Sequence, residues 1–338
     1  MNKNTLRPTI FDVAKKVKVS PAMVSRVLTG RGYVKKTKKE LIQKTIEKMQ
    51  FYPSAIAQNL RKQKTLTLGL YLCWPYSSVN FFLQNILIGI LDGCTATKYQ
   101  LLVTNLGERL DQLSPINRHK FFNDTRVDGI LLLAPYLQQS KLYPILQPYM
   151  QRVMLVCAQN KYLNFVDSDQ VHGIYQVVEF LVQQGYRRIG FLSGEISLVS
   201  NADTRFRGFK QAIKKFNLPW NASLRWKGSF NFNSGKEGAS YLLGLKNPPT
   251  ALIASNDALA AGAQEILKLK HLEKKIPLIG VDDHPLAGSR GLSTLKQPFQ
   301  EIGRQSVFEL IQLLQSSNQP LIHHLLPMEL IHRETSLF

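Results

Sequence analysis

Acidic side chains are scarce in this chain: 23 Asp and Glu stand against 43 Lys and Arg over 338 residues, a formal net charge of +20. The imbalance is local, because residues 1–64 hold sixteen Lys or Arg and three Asp or Glu, whereas the remainder holds 27 against 20. A basic block confined to one end is an electrostatic footprint for phosphate, not a solubility device spread over a surface. Cysteine is also rare. Cys73, Cys94 and Cys157 are scattered without a CxxC pair, which excludes a disulfide framework and fits a reducing, cytoplasmic setting. No apolar run approaches the roughly 18 residues of a membrane span, and no apolar h-region follows the N-terminal charges, so neither a membrane nor a secreted protein is expected. Catalytic signatures are missing: there is no GxGxxG, Walker A loop, HExxH or GxSxG. His323-His324 lacks a Cys or carboxylate at ligand spacing and reads as a surface pair. No enzyme, cofactor or metal site is therefore predicted.

What is present is ordinary globular material, 44% hydrophobic and 20% charged, long enough for roughly two to three units. Within the basic block, TIFDVAKKVKVSPAMVSRVLTG (9–30) reads as two short helices and a tight turn. Thr9 and Asp12 form a capping-box pattern, and Ile10, Val13, Ala14 and Val17 share a face. Ser20 suits the N-cap of the second helix, Pro21 its first turn, and Gly30 its end. Val24, Val27 and Leu28 make the second apolar face. Pro21, Ala22, Met23, Ser25 and Arg26 are left as the outward side, where small residues admit the helix to a major groove and an arginine can pair bidentately with guanine. Thr37 and Glu40 predict a capping box opening a third helix, with Leu41, Ile42, Ile46 and Met49 closing the core.

YPSAIAQNLR (52–61) reads as a helix of about two turns, too short to stand alone in water and so suited to forming only when packed. Two copies in a dimer would meet in a minor groove, with Leu60 wedged between base pairs. RKQKTLT (61–67) is an unpatterned linker. Beyond it, strand-like runs at 66–72, 99–104, 129–134, 153–157, 188–193, 251–255 and 277–281 alternate with helical patterns near 80–97, 114–124, 171–184, 204–216, 234–245, 257–270 and 299–315. Near-continuous apolar strands between helices imply parallel sheets covered on both faces, in two α/β lobes divided near 164–169.

Polar residues stand directly after strands, where open α/β sheets place ligands: Asn256 and Asp257 after ALIAS, Asp282 and Asp283 after PLIGV. Arg205 is placed in a polar loop, NADTR, at a helix start, and Asp257 reads as a helix N-cap. An arginine with carboxylate and amide partners grips hydroxyls through charge-assisted bonds. Phe230, Trp74 and Tyr76 supply apolar faces.

The runs at 9–30, Tyr33-Val34 and 52–61 together resemble the lactose-repressor and galactose-repressor family of bacterial transcription regulators. The likeness continues through RVDGILLLAP (126–135), QQGYRRIGFLSG (183–194), RFRGF (205–209), ALIASNDALAAGA (251–263), IPLIGVDDHPLA (276–287) and LKQP (295–298). It implies an all-α helix-turn-helix headpiece (1–52), a hinge helix and linker (53–64), and a two-lobed, periplasmic-binding-protein-like effector domain of parallel sheets (65–338). The lobes are expected at about 65–166 with 298–326 and about 167–297 with 327–338, the chain crossing three times. The expected partners are double-stranded operator DNA, a near-palindrome with a deformable central CG step, a small-molecule effector, and a second copy of the chain. The absence of a tetramer-forming heptad tail favours a homodimer.

The DNA-facing set is completed by Thr9, Ser20 and Tyr33 in the headpiece and by Ala55, Ile56 and Arg61 beside Leu60. The resemblance assigns effector contact to Arg205, Asn256, Asp282 and Phe230. Departures bear on which effector: Cys157 replaces a frequent Asp, Asp203 a frequent Arg, and CWPYSSVNFF (73–82) an NPFF loop. A sugar or sugar phosphate is the expected class, with a purine as the minority alternative. A solute-binding protein and a sugar-processing kinase or isomerase are the competing readings. The first is opposed by the basic headpiece, the second by the missing catalytic motifs.

Overall fold

The computed structural model describes residues 8–30, 32–51, 64–73, 81–106, 110–134, 139–194, 200–316 and 320–337. The chain divides into two units, Met1–Thr65 and Leu66–Phe338.

In the first unit, helices α1 (Ile10–Val17), α2 (Pro21–Thr29) and α3 (Lys36–Lys48) enclose a small core of Val13, Ala14, Val24, Ile42 and Phe51. Both predicted caps of the first two helices form. Thr9 accepts from the Asp12 N–H while Asp12 accepts from the Thr9 N–H at 2.8 Å, and Ser20 accepts from the Met23 N–H. Each such cap is worth about 1 kcal/mol. Gly30 ends α2 at φ 67°, a conformation that glycine adopts without a Cβ clash. Two expectations fail in α3. Its N-cap is Lys35, which makes no side-chain cap bond, and the helix begins at Lys36, so Thr37 and Glu40 already lie inside it. Leu41 is 52% exposed, because Ile42, Ile46 and Met49 follow the i, i+4, i+7 stripe and Leu41 lies about 100° off it.

The second unit contains two six-stranded sheets, each covered by helices. The first has the order β11 (His323–Leu326), β5 (Phe165–Ser168), β4 (Val153–Val156), β3 (Gly129–Leu133), β1 (Thr67–Leu72), β2 (Gln100–Asn105), with all pairings parallel. The second has the order β12 (Glu329–Ile331), β10 (Ser293–Lys296), β9 (Leu278–Asp282), β8 (Ala251–Ala254), β6 (Ile189–Gly194), β7 (Arg225–Gly228). It is parallel except for β12, which runs antiparallel to β10.

Helix α4 (Phe81–Thr97) and two shorter helices, α5 (Pro115–Phe122) and α6 (Gln139–Leu146), belong to the first lobe. Helices α7 (Gln170–Gln183), α8 (Ser200–Lys215), α9 (Phe232–Leu243), α10 (Asp257–Leu269) and the single-turn α11 (Pro285–Ser289) follow in the second. The chain then returns, and α12 (Phe299–Gln315) packs against α4. The two helices meet at glycine: a Cβ on Gly89 would lie 1.8 Å from the Gln300 carbonyl oxygen, and one on Gly303 would lie 2.3 Å from that of Ile86. Backbone therefore touches backbone along this seam.

The chain passes between lobes at β5 to α7, at β10 to α12 and at β11 to β12. Strands β5, β7, β10, β11 and β12 were not predicted. They are four residues or fewer and none is a continuous apolar run: β5 (FVDS) and β10 (STLK) bury polar residues, while β7, β11 and β12 are only half-buried or exposed.

Candidate nucleic-acid interface and interlobe cleft

On α2 the outward side is narrower than predicted. Ala22 and Arg26 are exposed, but Pro21, Met23 and Ser25 are half-buried, and Met23 packs on the core beside Val24. Met23 lies one residue from Val24, so its flexible side chain reaches around to the core stripe. Tyr33 is 89% exposed in the loop after α2. Thr9 and Ser20 spend their hydroxyls as caps at the first turns of α1 and α2, where backbone N–H groups collect and favour a phosphate oxygen. Lys15, Lys16 and Lys18 at the end of α1 and Lys35, Lys36, Lys38 and Lys39 around the start of α3 are all exposed. A helix with a small exposed residue and an arginine, in a unit this rich in exposed lysine, has the charge and shape to enter a nucleic-acid groove. Ala55, Ile56, Leu60 and Arg61 lie outside the described residues.

In the second unit, the carboxyl ends of strands from both lobes converge on a cleft. Arg205 is 5% exposed and sits within α8, which begins at Ser200, so NADTR is helical and not a loop. Ala202, Arg205, Phe209, Ala212 and Ile213 lie buried at helical spacing along the same helix, and Ala202 extends its core face back past the expected start at 204. The Arg205 Nε donates to Gln170 Oε1 at 2.7 Å, one terminal nitrogen donates to the Ser255 carbonyl, and the other faces Asp282 at 3.5 Å.

Asp282 ends β9 at φ 115° and is followed by Asp283 at φ 55°. Consecutive non-glycine residues in this region carry backbone strain of order 1–3 kcal/mol each, a cost that tends to persist at functional sites. Asp282 Oδ1 also accepts from Gln297 at 2.6 Å, while Asp283 pairs with Arg333 at 2.7 Å.

Asn256, not Asp257, is the N-cap of α10, accepting from the Leu259 N–H at 2.9 Å. Asp257 occupies the first helical position, almost fully buried, and accepts from Thr294 Oγ1 at 2.6 Å and the His284 N–H at 2.8 Å. Its short reach toward the strand ends turns it away from the helix N–H groups. Asn256 donates to the Phe230 carbonyl at 3.3 Å, so it holds the Phe230 loop as well as the helix start. Phe230 lies against Gly194 at the end of β6, where a Cβ would come within 2.0 Å of its ring. Trp74 and Tyr76 lie outside the described residues.

Burial governs the electrostatics. Asp167, fully buried in β5, is pushed up to about 7 despite accepting from the Ser168 N–H and Gln159. Burial also raises Asp282, opposed by Arg205, and raises Asp257, which Asp282 pushes further in the same direction. Burial keeps the Cys157 thiol, at the end of β4, well above its ordinary value and thus protonated. Arg205 therefore opposes the rise at Asp167 and Asp282, while Asp257 is held by Thr294 and the His284 N–H.

Contacts that join the lobes include Asn201 Nδ2 to the Cys157 carbonyl at 3.3 Å and the Phe81 ring edge-on to His284 at 5.1 Å. Beside them opens a pocket of 580 Å³, lined by Phe81, Asn85 and Phe299 from the first lobe and by Asp282, Asp283 and Lys296 from the second. Gln170, Gln297, Ser168 and Asn201 were missed as site residues. Their defining partners are distant, Arg205 35 residues from Gln170, Cys157 44 from Asn201 and Gln297 129 from Ser168, and although Gln297 lies inside LKQP and Asn201 inside NADTR, neither run pointed to these residues. His324, expected to lack a carboxylate, has Glu309 at 2.7 Å across the strand-helix packing, and no cluster able to hold a metal occurs among the described residues.

A helix-turn-helix unit joined to a two-lobed α/β unit with an interlobe cleft defines a class, the ligand-responsive DNA-binding regulators. Residues 9–54 match the description "Bacterial regulatory proteins, lacI family", and residues 178–336 match a periplasmic binding protein-like domain. The chain belongs to the lacI family. It is 27% identical to the ribose operon repressor of Haemophilus influenzae, across 92% of this chain and 93% of that one. It is 29% identical to the transcriptional repressor PurR of Haemophilus influenzae, across 90% of each. The fold matches the Lac repressor dimer bound to operator and the anti-inducer ONPF with a TM-score of 0.82 at 24% identity, covering 98% of this chain and all of that one. No described helix is long and apolar enough to cross a membrane.

Proposed function

We propose that this chain is a cytoplasmic, non-enzymatic repressor that binds operator DNA as a homodimer, with an affinity set by a small polyhydroxylated effector held between the lobes. The observation that carries the effector reading is the facing of Arg205 and the strained Asp282 at 3.5 Å. A guanidinium donates only and a carboxylate accepts only, whereas a sugar hydroxyl does both and bridges the two. A sugar or sugar phosphate is therefore the favoured class. The likeness to PurR makes a purine base the second candidate, with the Phe230 ring as its stacking face.

DNA reading falls to α2, with Ala22 and Arg26 toward the bases, Thr9, Ser20 and Tyr33 toward phosphates, and residues 53–64, including Leu60, forming the hinge. The dimer is supported by apolar side chains left exposed side by side in the first lobe: Ile88 and Leu91 on α4 and Val103 on the edge strand β2.

The test is operator titration of the whole protein at several salt concentrations, with and without a panel of sugars, sugar phosphates and purines. Affinity should fall as a steep log–log line with salt, since each neutralised phosphate releases counterions. One panel member should change affinity by about 5–150-fold, the usual range of allosteric coupling. Salt-independent binding would overturn the DNA reading, and a response to purines alone would overturn the sugar reading.

A further inference from the structure

Three buried side chains meet where the chain passes between lobes. Ser168 closes β5 in the first lobe, Gln170 opens α7 in the second, and Gln297 lies on the return from β10 to α12. Ser168 Oγ donates to Gln297 Oε1 at 2.6 Å, and Gln170 Nε2 donates to Ser168 Oγ at 2.7 Å and to Gln297 Oε1 at 2.5 Å. The outer end of each amide reaches the cleft: Gln170 Oε1 accepts from Arg205, and Gln297 Nε2 donates to Asp282.

The direction of every bond is dictated from these ends. Arginine can only donate, so Gln170 must turn its oxygen to Arg205 and its NH2 inward. An ionised Asp282 can only accept, so Gln297 must turn its NH2 to Asp282 and its oxygen inward. The result is a closed ring, Arg205–Gln170–Gln297–Asp282, braced by Ser168. Its one long link is the 3.5 Å gap between Arg205 and Asp282. A buried, fully directed ring of this kind holds one geometry, because any member that turns leaves a buried group unpaired.

We propose that Gln170 and Gln297 are positioning residues that tie the Arg205–Asp282 pair to the first two interlobe crossings, so that the spacing of that pair sets the angle between the lobes. The proposal rests on reading the cleft as the effector site. A hydroxyl entering the long link draws on Asp282 and Arg205, and each pull passes through one amide to one crossing. At the third crossing Met328 packs on Gly173, an apolar contact that fixes no hydrogen-bond direction.

The test needs no effector. Gln170→Met and Gln297→Met keep side-chain length and remove the bonds. Spin labels at Lys120→Cys in the first lobe and Lys246→Cys in the second, both exposed, report the interlobe distance by pulsed electron paramagnetic resonance. Labelled full-length chain is diluted with unlabelled chain, and Cys73, Cys94 and Cys157 are buried. In each Met variant the distance distribution should shift or broaden beyond the wild-type width. A distribution that superimposes on wild type, whatever happens to the melting temperature, overturns the proposal and leaves the cluster as packing. If a Met variant does not fold, Gln170→Glu, which keeps the acceptor for Arg205 and removes the donor to Gln297, is judged by the same criterion. Because operator response is not the readout, failure of the effector reading would leave this outcome independent.

Discussion

Arg26 and Arg205 are both arginines expected to grip a partner, yet the chain treats them oppositely. Arg26 stands exposed on α2 among lysines, whereas Arg205 is 5% exposed, with Gln170, the Ser255 carbonyl and Asp282 around it. On the proposed operator face, an exposed arginine would meet a polyanion through water and counterions, and its contribution there would be screened by salt. The buried one works in a medium where screening is weak and an unpaired charge is expensive. A surface reader can be altered one contact at a time, while the cleft stands or falls as a network.

The largest effect expected from that contrast is at Arg205. Arg205→Ala leaves Gln170 without its donor and Asp282 without its cation, and should lower the stability of the second unit by about 3–5 kcal/mol. Calorimetry of the full chain would show it. An unchanged transition would mean that the two arginines do not differ in this way.

The next effect sharpens the claim that the cleft is insulated from solvent. Asp167 is raised to about 7 by burial, against about 3.9 in an unfolded chain. The folded state therefore holds the proton more tightly. Its stabilising contribution is complete below about pH 3.9, declines as pH rises, and is gone above about pH 7. Asp167→Asn removes this dependence. The stability of the variant relative to wild type should rise across that window, by at most about 4 kcal/mol, and level off beyond it. Thermal melts of both proteins from pH 4 upward would test this, and a constant difference would place Asp167 in contact with water.

The smallest effect belongs to the exposed residue. Arg26→Ala should leave both thermal transitions in place and weaken operator binding by about 1–3 kcal/mol, relaxing base choice at one symmetric position. A large loss of headpiece stability would break the comparison from the other side.

The same contrast explains how far the sequence could be read. The headpiece caps at Thr9, Asp12, Ser20 and Gly30 were legible because each bond spans three residues or fewer, and the parallel strands β1, β3 and β6 because they are continuous apolar runs. Asp282 stood out through its position after a strand, Arg205 through its place in a polar run at a helix start, and both through family resemblance. Their partners did not. Gln170 and Gln297 lie 127 residues apart, and nothing local distinguishes a glutamine that bridges two chain crossings from one on a surface. Leu41 and Asp257 were misread for a related reason: a helix start fixes which residues face inward, and an error of one position turns a side chain through about 100°.

The glycine seam between α4 and α12 has a mechanical consequence. Where side chains lie between helices, they can change rotamer to absorb a tilt. At Gly89 and Gly303 the backbones touch, so this stretch offers no such cushion. The two helices form a stiff bar with one end at the Gln297 crossing. The exposed Ile88 and Leu91 lie on its flank, and a small swing at the crossing becomes a displacement of the surface through which a second copy of the chain would be held.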